Sequence, residues 1–329
     1  MEKMKRVAII GTGSYVPEKV LSNFDLEKKV DTSDEWIKNR TGICERHISD
    51  EQTPTSKLAI EAAKKALDAA GVKPEDLDFI LVATVCPDML FPATACLVQS
   101  ALGAKRAAAF DISAGCTGFI YGLELSRSLI NADPTRKILL IGAEELTKLL
   151  DWTDRTTCVL FGDGAGAVVL ASVDEDRGII SSYLGADGTL GNLLYMPGGG
   201  SLNPTSHKTV DEKMHFVKMA GNQVYKHAVR TMINCATKVL KMAEITQDRV
   251  EILIVHQANN RIIEAVARRL RLPMEKVFVN IEKYGNTSSA SIPIALDEAV
   301  RTGRITAGGI VLLVSFGAGF TWGAVLLKW

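Results

Sequence analysis

The chain has 329 residues, 47% of them apolar, with 38 acidic and 38 basic side chains. That balance is ordinary for a globular enzyme and leaves room for one large α/β domain or two of medium size. Zero net charge argues against nucleic acid or an acidic membrane as a partner.

From the N-terminus, "MEKMKRVAIIGTG" has an apolar run too short for a secretory signal, so a cytoplasmic location is expected. The six cysteines contain no C-x-x-C pair and read as reduced thiols, mostly small core residues. Elements are then predicted in a fixed order: strand 6–13, helix 55–71, strand 78–84, helix 92–103 and strand 108–113. A small-residue turn around Cys116, helix 118–130 and strands 137–145 and 164–172 complete the set. The same order returns as strand 178–185, helix 222–243, strand 251–258, helix 261–270, strand 276–281, a Gly285-Asn286 turn, helix 291–300 and strands 309–319 and 321–327. This is a duplicated unit, with halves at 1–173 and 174–329. Two sheets of doubly covered strands that bury a face together predict an α/β fold, a five-layered α-β-α-β-α sandwich.

Three stretches invite other readings. Residues 308–327 carry no charge over about 20 positions, the length of a membrane span, but Gly317, Gly319 and Gly323 divide them into two short buried strands. "GTGSYVP" at 11–17 opens like a dinucleotide fingerprint, yet Val16 replaces its third glycine and Pro17 stops the helix that should follow. "GDGAGA" at 162–167 lacks a Lys-Ser/Thr ending and leads into a strand, so close backbone packing explains it better than phosphate. His47, His207, His215 and His227 show no metal-ligand spacing, and no metal is expected.

Chemistry is expected at three strand ends. Cys116, in "AAFDISAGCTGFIYGLELS", lies where a strand gives way to a helix, whose N-terminal field should favour a thiolate; the alternative is a buried structural thiol. His256 leaves the apolar strand "EILIV" and begins the polar run "HQANN", where a capping histidine is the alternative. Asn286 sits in the turn "KYGNTSSAS", where an ordinary αL or capping asparagine is the alternative. In open α/β sheets ligands gather beyond the carboxyl ends of strands, so corresponding ends of a duplicated fold should bring the three together. Cys-His-Asn order also suits a papain-like peptidase, but the cysteine is deep in the chain, "AGCTG" is unlike C-G-S-C-W, and that fold has no internal duplication.

The segments "TSDEWIKNRTGICERH", "AGCTGF", "DWTDRTTCVLFGDGAGA", "VHQANNRII", "YGNTSSASIP" and "SFGAGFTWG" occur in the order of the β-ketoacyl-acyl carrier protein synthase III family of thiolase-like condensing enzymes, which the whole chain resembles. The resemblance implies a Cys116, His256 and Asn286 triad, an oxyanion hole at the backbone N–H groups of Cys116 and Ala318, and no metal or organic cofactor. Ala318 departs from the glycine common in that family but keeps its N–H. Acyl-coenzyme A, acetyl for preference, and malonyl-acyl carrier protein are the implied substrates, with a 3-oxoacyl-acyl carrier protein as product, at the start of fatty acid synthesis. Coenzyme A would be held by Trp36, Arg40 and Arg155, with Asn222 lining the pantetheine tunnel. The carrier would dock at Gln257, Ala258, Asn259, Asn260 and Arg261, with Arg268 and Arg269 on the helix beyond. Phe91 would cross a homodimer interface and close the partner's acyl pocket. A type III polyketide synthase carries the same triad and a similar glycine loop, and a non-catalytic acyl-binding protein is a third possibility.

Overall fold

The protein's structure, a computed structural model, describes residues 6–329. The first half supplies β1 (Arg6–Tyr15), α1 (Asp34–Thr41), α2 (Thr55–Ala70), β2 (Phe79–Ala83), α3 (Thr94–Leu102), β3 (Ala108–Ile112), α4 (Gly118–Ala132), β4 (Lys137–Glu145) and β5 (Asp163–Val173). The second supplies β6 (Gly178–Ala186), α5 (Gly221–Met242), β7 (Val250–Val255), α6 (Asn260–Arg269), α7 (Ser291–Arg301), β8 (Ile310–Gly317) and β9 (Thr321–Lys328). One sheet has the order β1-β5-β4-β2-β3 and the other β6-β9-β8-β7, so the repeat in the sequence is a repeat of topology.

Period-two alternation decides which layer each side chain enters. In the first sheet, Leu81, Ile138 and Leu140 face inward to α4 and α7, where they meet Ile252, Ile254 and Leu313 of the second sheet in one core. Their neighbours Ile80, Val82, Leu139 and Ile141 face outward to α2 and α3. Leu253, Val255, Leu312 and Val314 face α5 and α6 on the far side. The result is the five-layered sandwich, with α4 and α7 as the middle layer.

The two glycine-rich stretches are packing devices. β1 runs straight through "GTGSY", and a Cβ on Gly11 would stand 2.5 Å from the Ala66 carbonyl oxygen of α2. In "GDGAGA", a Cβ on Gly166 would stand 2.6 Å from the Ile294 nitrogen of α7. Residues 308–327 form β8 and β9, the antiparallel pair that the glycines suggested, and no helix among the described residues is long and apolar enough to cross a membrane.

The expected strand 276–281 does not form. Met274–Lys276 is a 3₁₀ turn, and Val277 makes a single bridge to Leu253. The backbone groups a ladder would use are taken by one side chain. Gln257 Nε2 donates to the Phe278 carbonyl at 3.3 Å, and its Oε1 accepts from the Asn280 N–H at 3.1 Å.

Gly166→Ala forces a methyl into backbone and should destabilise the fold by about 1–3 kcal/mol, the usual cost of overpacking. Urea denaturation checks this, and an unchanged midpoint would show that β5 and α7 can part without cost.

Candidate active site

Cys116 is the middle residue of the 3₁₀ turn Gly115–Thr117, between the end of β3 and the start of α4. The turn rests on the β8–β9 connection by bare backbone. A Cβ on Gly317 would stand 2.4 Å from the Cys116 nitrogen, and one on Gly115 would stand 2.7 Å from the Ala318 nitrogen. Ser315 Oγ donates to the Cys116 carbonyl at 2.8 Å and Thr321 Oγ1 to the Ala114 carbonyl at 2.7 Å, which fixes the two loops against each other. The backbone N–H groups of Cys116 and Ala318 and the Ser288 hydroxyl therefore act on the sulfur.

The expected thiolate is not what this setting favours. Burial pushes the Cys116 thiol up to about 12, against the pull of Ser288 and the two N–H groups, and the nearby Glu144 carboxyl adds to the rise. Desolvation outweighs the helix end. The resting group is a neutral thiol.

His256 follows β7, its own N–H bonded to the Val314 carbonyl at 2.8 Å. Burial alone holds the imidazole down to about 3, so it is neutral at any working pH. Ser291 Oγ, the first residue of α7, lies 2.6 Å from His256 Nδ1. With the serine proton donated to Nδ1, the ring's own proton is on Nε2, a hydrogen-bond donor. Asn286 follows the short helix Ile281–Tyr284 rather than a strand. Its Oδ1 accepts the Ser288 N–H at 2.9 Å, which leaves Nδ2 as its donor. Its backbone N–H bonds to the Leu160 carbonyl at 2.8 Å, so a first-half segment holds this second-half residue.

Cys116, His256 and Asn286 line one cavity of about 530 Å³ with Trp36, Arg40, Asn222, Ala258, Asn259 and Arg261. At its mouth the Arg40 and Arg155 guanidinium groups lie 5.7 and 5.3 Å from the Trp36 ring centre. Asn259 caps α6 through the Arg261 N–H and donates Nδ2 to the Arg40 carbonyl at 2.9 Å, so the ends of α1 and α6 form one rim. Arg261, Arg268 and Arg269 are exposed on α6, and no ion pair involves them among the described residues. Gln257 does not belong with them. It is 1% exposed and its amide is used inside the fold, so it shapes the loop and presents nothing to a partner. Asn260 Nδ2 is likewise bonded to Glu264 at 2.7 Å. Phe91 is 83% exposed, beside exposed Leu90 and Met89, and does not line this cavity. No cluster of three potential metal ligands occurs among the described residues.

Sequence patterns did not point to Arg46, which is fully buried. Its guanidinium donates to the Leu21 carbonyl, Asn23 Oδ1 and the Val159 carbonyl at 3.2, 2.9 and 2.8 Å, and burial lowers it to about 10. It ties the Trp36-bearing insert to the 151–160 segment.

A duplicated α/β unit in five layers, with Cys, His and Asn at the junction of the halves, defines a thiolase-like condensing enzyme. Residues 110–188 match the family model described as 3-oxoacyl-[acyl-carrier-protein (ACP)] synthase III, and residues 240–329 match the model of its C-terminal part. A β-ketoacyl-[acyl-carrier-protein] synthase III from Caldanaerobacter subterraneus subsp. tengcongensis is 58% identical over 98% of this chain and 97% of its own, and one from Desulfitobacterium hafniense is 54% identical over 99% and 98%. The crystal structure of 3-oxoacyl-[acyl-carrier-protein] synthase III from Aquifex aeolicus VF5 superposes with a TM-score of 0.91 at 49% identity, over 98% of this chain and all of that one. The chain belongs to the 3-oxoacyl-[acyl-carrier-protein] synthase III family and is a condensing acyltransferase.

The buried neutral histidine has a stability consequence. His256 titrates near 3 when folded and near 6.5 when unfolded, so below 6.5 the unfolded chain binds the extra proton and stability falls as pH falls. Between pH 7 and pH 5 this group should cost about 2 kcal/mol. Unfolding free energies from urea denaturation at the two pH values should show a fall smaller by that amount in His256→Asn than in wild type; an equal fall would mean the imidazole is protonated in the fold.

Proposed function

We propose that the protein joins an acyl primer from acyl-coenzyme A, acetyl for preference, to malonyl-acyl carrier protein with loss of carbon dioxide, giving a 3-oxoacyl-acyl carrier protein at the start of fatty acid synthesis. The observation that carries this reading is the convergence of one thiol and two neutral donors in a deep cavity with an aromatic and cationic mouth.

Cys116 attacks the primer thioester, and the N–H groups of Cys116 and Ala318 hold the developing oxyanion. Coenzyme A lies with its adenine and phosphates at Trp36, Arg40 and Arg155, and its arm runs past Asn222 to the sulfur. After coenzyme A leaves, the malonyl thioester oxygen meets His256 Nε2 and Asn286 Nδ2. Neither can become charged at neutral pH, so both remain donors while decarboxylation builds negative charge on that oxygen. The carbanion equivalent then attacks the acyl-cysteine. The reaction as written uses no metal or organic cofactor.

The acidic carrier docks on Ala258, Asn259 and Arg261 at the rim and on Arg268 and Arg269 along α6, where unpaired cations await a partner of opposite sign. We also propose that the enzyme works in the cytoplasm as a homodimer, with Phe91 entering the partner's acyl pocket. The exposed run Met89 to Phe91 is the kind of apolar surface that a second subunit covers.

Labelled acetyl-coenzyme A should leave a covalent acetyl group on the wild type and none on Cys116→Ser; a wild type that stays unlabelled with every short acyl-coenzyme A would sink the reading. Arg261→Glu combined with Arg268→Glu should raise the KM for the carrier about tenfold or more and flatten its dependence on salt, with the KM for acetyl-coenzyme A unchanged. An unmoved carrier KM would place the dock elsewhere.

A further inference from the structure

A neutral thiol must lose its proton to attack, and His256 is too weak a base to take it. Behind Cys116 stands Glu144, the eighth residue of β4, fully buried and without a cation in salt-bridge distance among the described residues. One carboxyl oxygen, Oε2, accepts from the Val85 N–H at 3.0 Å, Thr84 Oγ1 at 3.1 Å and Cys86 Sγ at 2.9 Å. The other, Oε1, faces Ser288 Oγ at 2.9 Å and Ser289 Oγ at 2.8 Å. Ser288 lies in a 3₁₀ turn packed on the turn that carries the cysteine, and its hydroxyl is among the groups that act on the Cys116 sulfur. It holds a φ of +50°, a conformation costly for a residue with a side chain, stabilised by Asn286 Oδ1 on its N–H.

We propose that Ser288 and Glu144 form a proton relay behind Cys116, in which Glu144 stores the thiol proton while the cysteine is acylated. The proposal rests on the ketosynthase reading above.

Ser289 shows that the site accommodates the carboxyl in both protonation states. Its hydroxyl has one proton but two acceptors in reach, Glu144 Oε1 at 2.8 Å and the Ala83 carbonyl at 2.7 Å. When Glu144 is ionised, Ser289 donates to it. When Glu144 is protonated, Glu144 donates to Ser289 Oγ, and the serine proton turns to Ala83. The carboxyl therefore finds a hydrogen-bond partner on Ser289 in either state. The titratable groups acting on Glu144 are thiols, Cys86 by hydrogen bond and Cys116 through Ser288, while neighbouring Glu145 is engaged with Lys148. Burial raises the carboxyl above its ordinary range.

The steps balance. On acylation the Cys116 sulfur bonds to the acyl carbon and the bond to the coenzyme A sulfur breaks. The thiol proton passes to Ser288 Oγ as the serine proton passes to Glu144 Oε1, and coenzyme A leaves as a thiolate that takes a proton from water. On condensation the carbon dioxide departs, the new carbon–carbon bond forms and the bond from Cys116 to the acyl carbon breaks. The stored proton then returns through Ser288 to the sulfur, leaving Glu144 ionised again.

The test is the single-turnover rate of acetyl transfer from acetyl-coenzyme A to Cys116, followed by mass spectrometry of the intact protein across pH. Glu144→Gln keeps the shape and cannot store the proton; Ser288→Ala keeps the carboxyl and breaks the path. Both should slow acetylation about a hundredfold near neutral pH, the scale of a lost general base. Both should also lose the acid-side fall in rate that the wild type owes to Glu144, while both stay folded by circular dichroism and coenzyme A binding stays unchanged. Acetylation within twofold of wild type in either variant overturns the relay, as does a slowed rate that keeps the wild-type pH profile. A wild type that is never acetylated removes the reading beneath the relay, and the relay with it.

Discussion

Two turns from opposite halves of the chain touch through backbone alone, and the rest of the site is arranged around that contact. Gly115 and Gly317 leave no side chain between the Cys116 turn and the β8–β9 connection, so an N–H from each half can reach the same sulfur. Any side chain at either glycine would pry the halves apart at the one place where they must agree. Duplication makes the contact possible, because a repeated topology brings equivalent strand ends to a common axis. The remaining parts follow from it: the cavity opens where the carboxyl ends of β3 and β7 face each other, and the insert bearing Trp36, fastened by Arg46, roofs it.

The electrostatics of the site are those of neutral groups in a dry place. Cys116, His256 and Asn286 carry no charge at rest, and burial is the reason for the first two. A low-dielectric pocket strengthens each hydrogen bond to a charge that appears only during reaction. The same dryness raises the cost of making the nucleophile, and a buried carboxyl reached through a hydroxyl answers that cost.

Much of this was legible in the sequence because it depends on local pattern. The strand and helix order, the glycine break in residues 308–327 and the backbone-packing reading of "GTGSY" and "GDGAGA" all follow from periodicity and from glycine's missing side chain. The strand expected at 276–281 failed because a distant side chain, Gln257, took the backbone groups a ladder would have used, and nothing in "KVFVNI" records that. The thiolate expected at Cys116 failed for a related reason: a helix start is visible in sequence, whereas the depth of burial that overrides it is set by the whole fold. Arg46, Ser291 and Glu144 were silent because their roles are contacts across 20 to 150 residues, and the one available hint was charge inside apolar strands, as in "KILLIGAEE".

The substitution of Gln257 for a strand also bears on how copies of the chain can meet. Of the four edges of the two large sheets, that side chain and the Val277 bridge close the one at β7. The edges at β1 and β6 lie against each other, close enough that a Cβ on Gly178 would stand 2.4 Å from the Val7 carbonyl oxygen. Among the described residues that leaves β3, with Ala108 and Phe110 exposed, as the edge still open. A large sheet with one open edge can pair with a copy of itself about a twofold axis, and pairing consumes the edge. Growth of the large sheets by strand addition would end there, and the side chain that shortens the second sheet is what closes its other route.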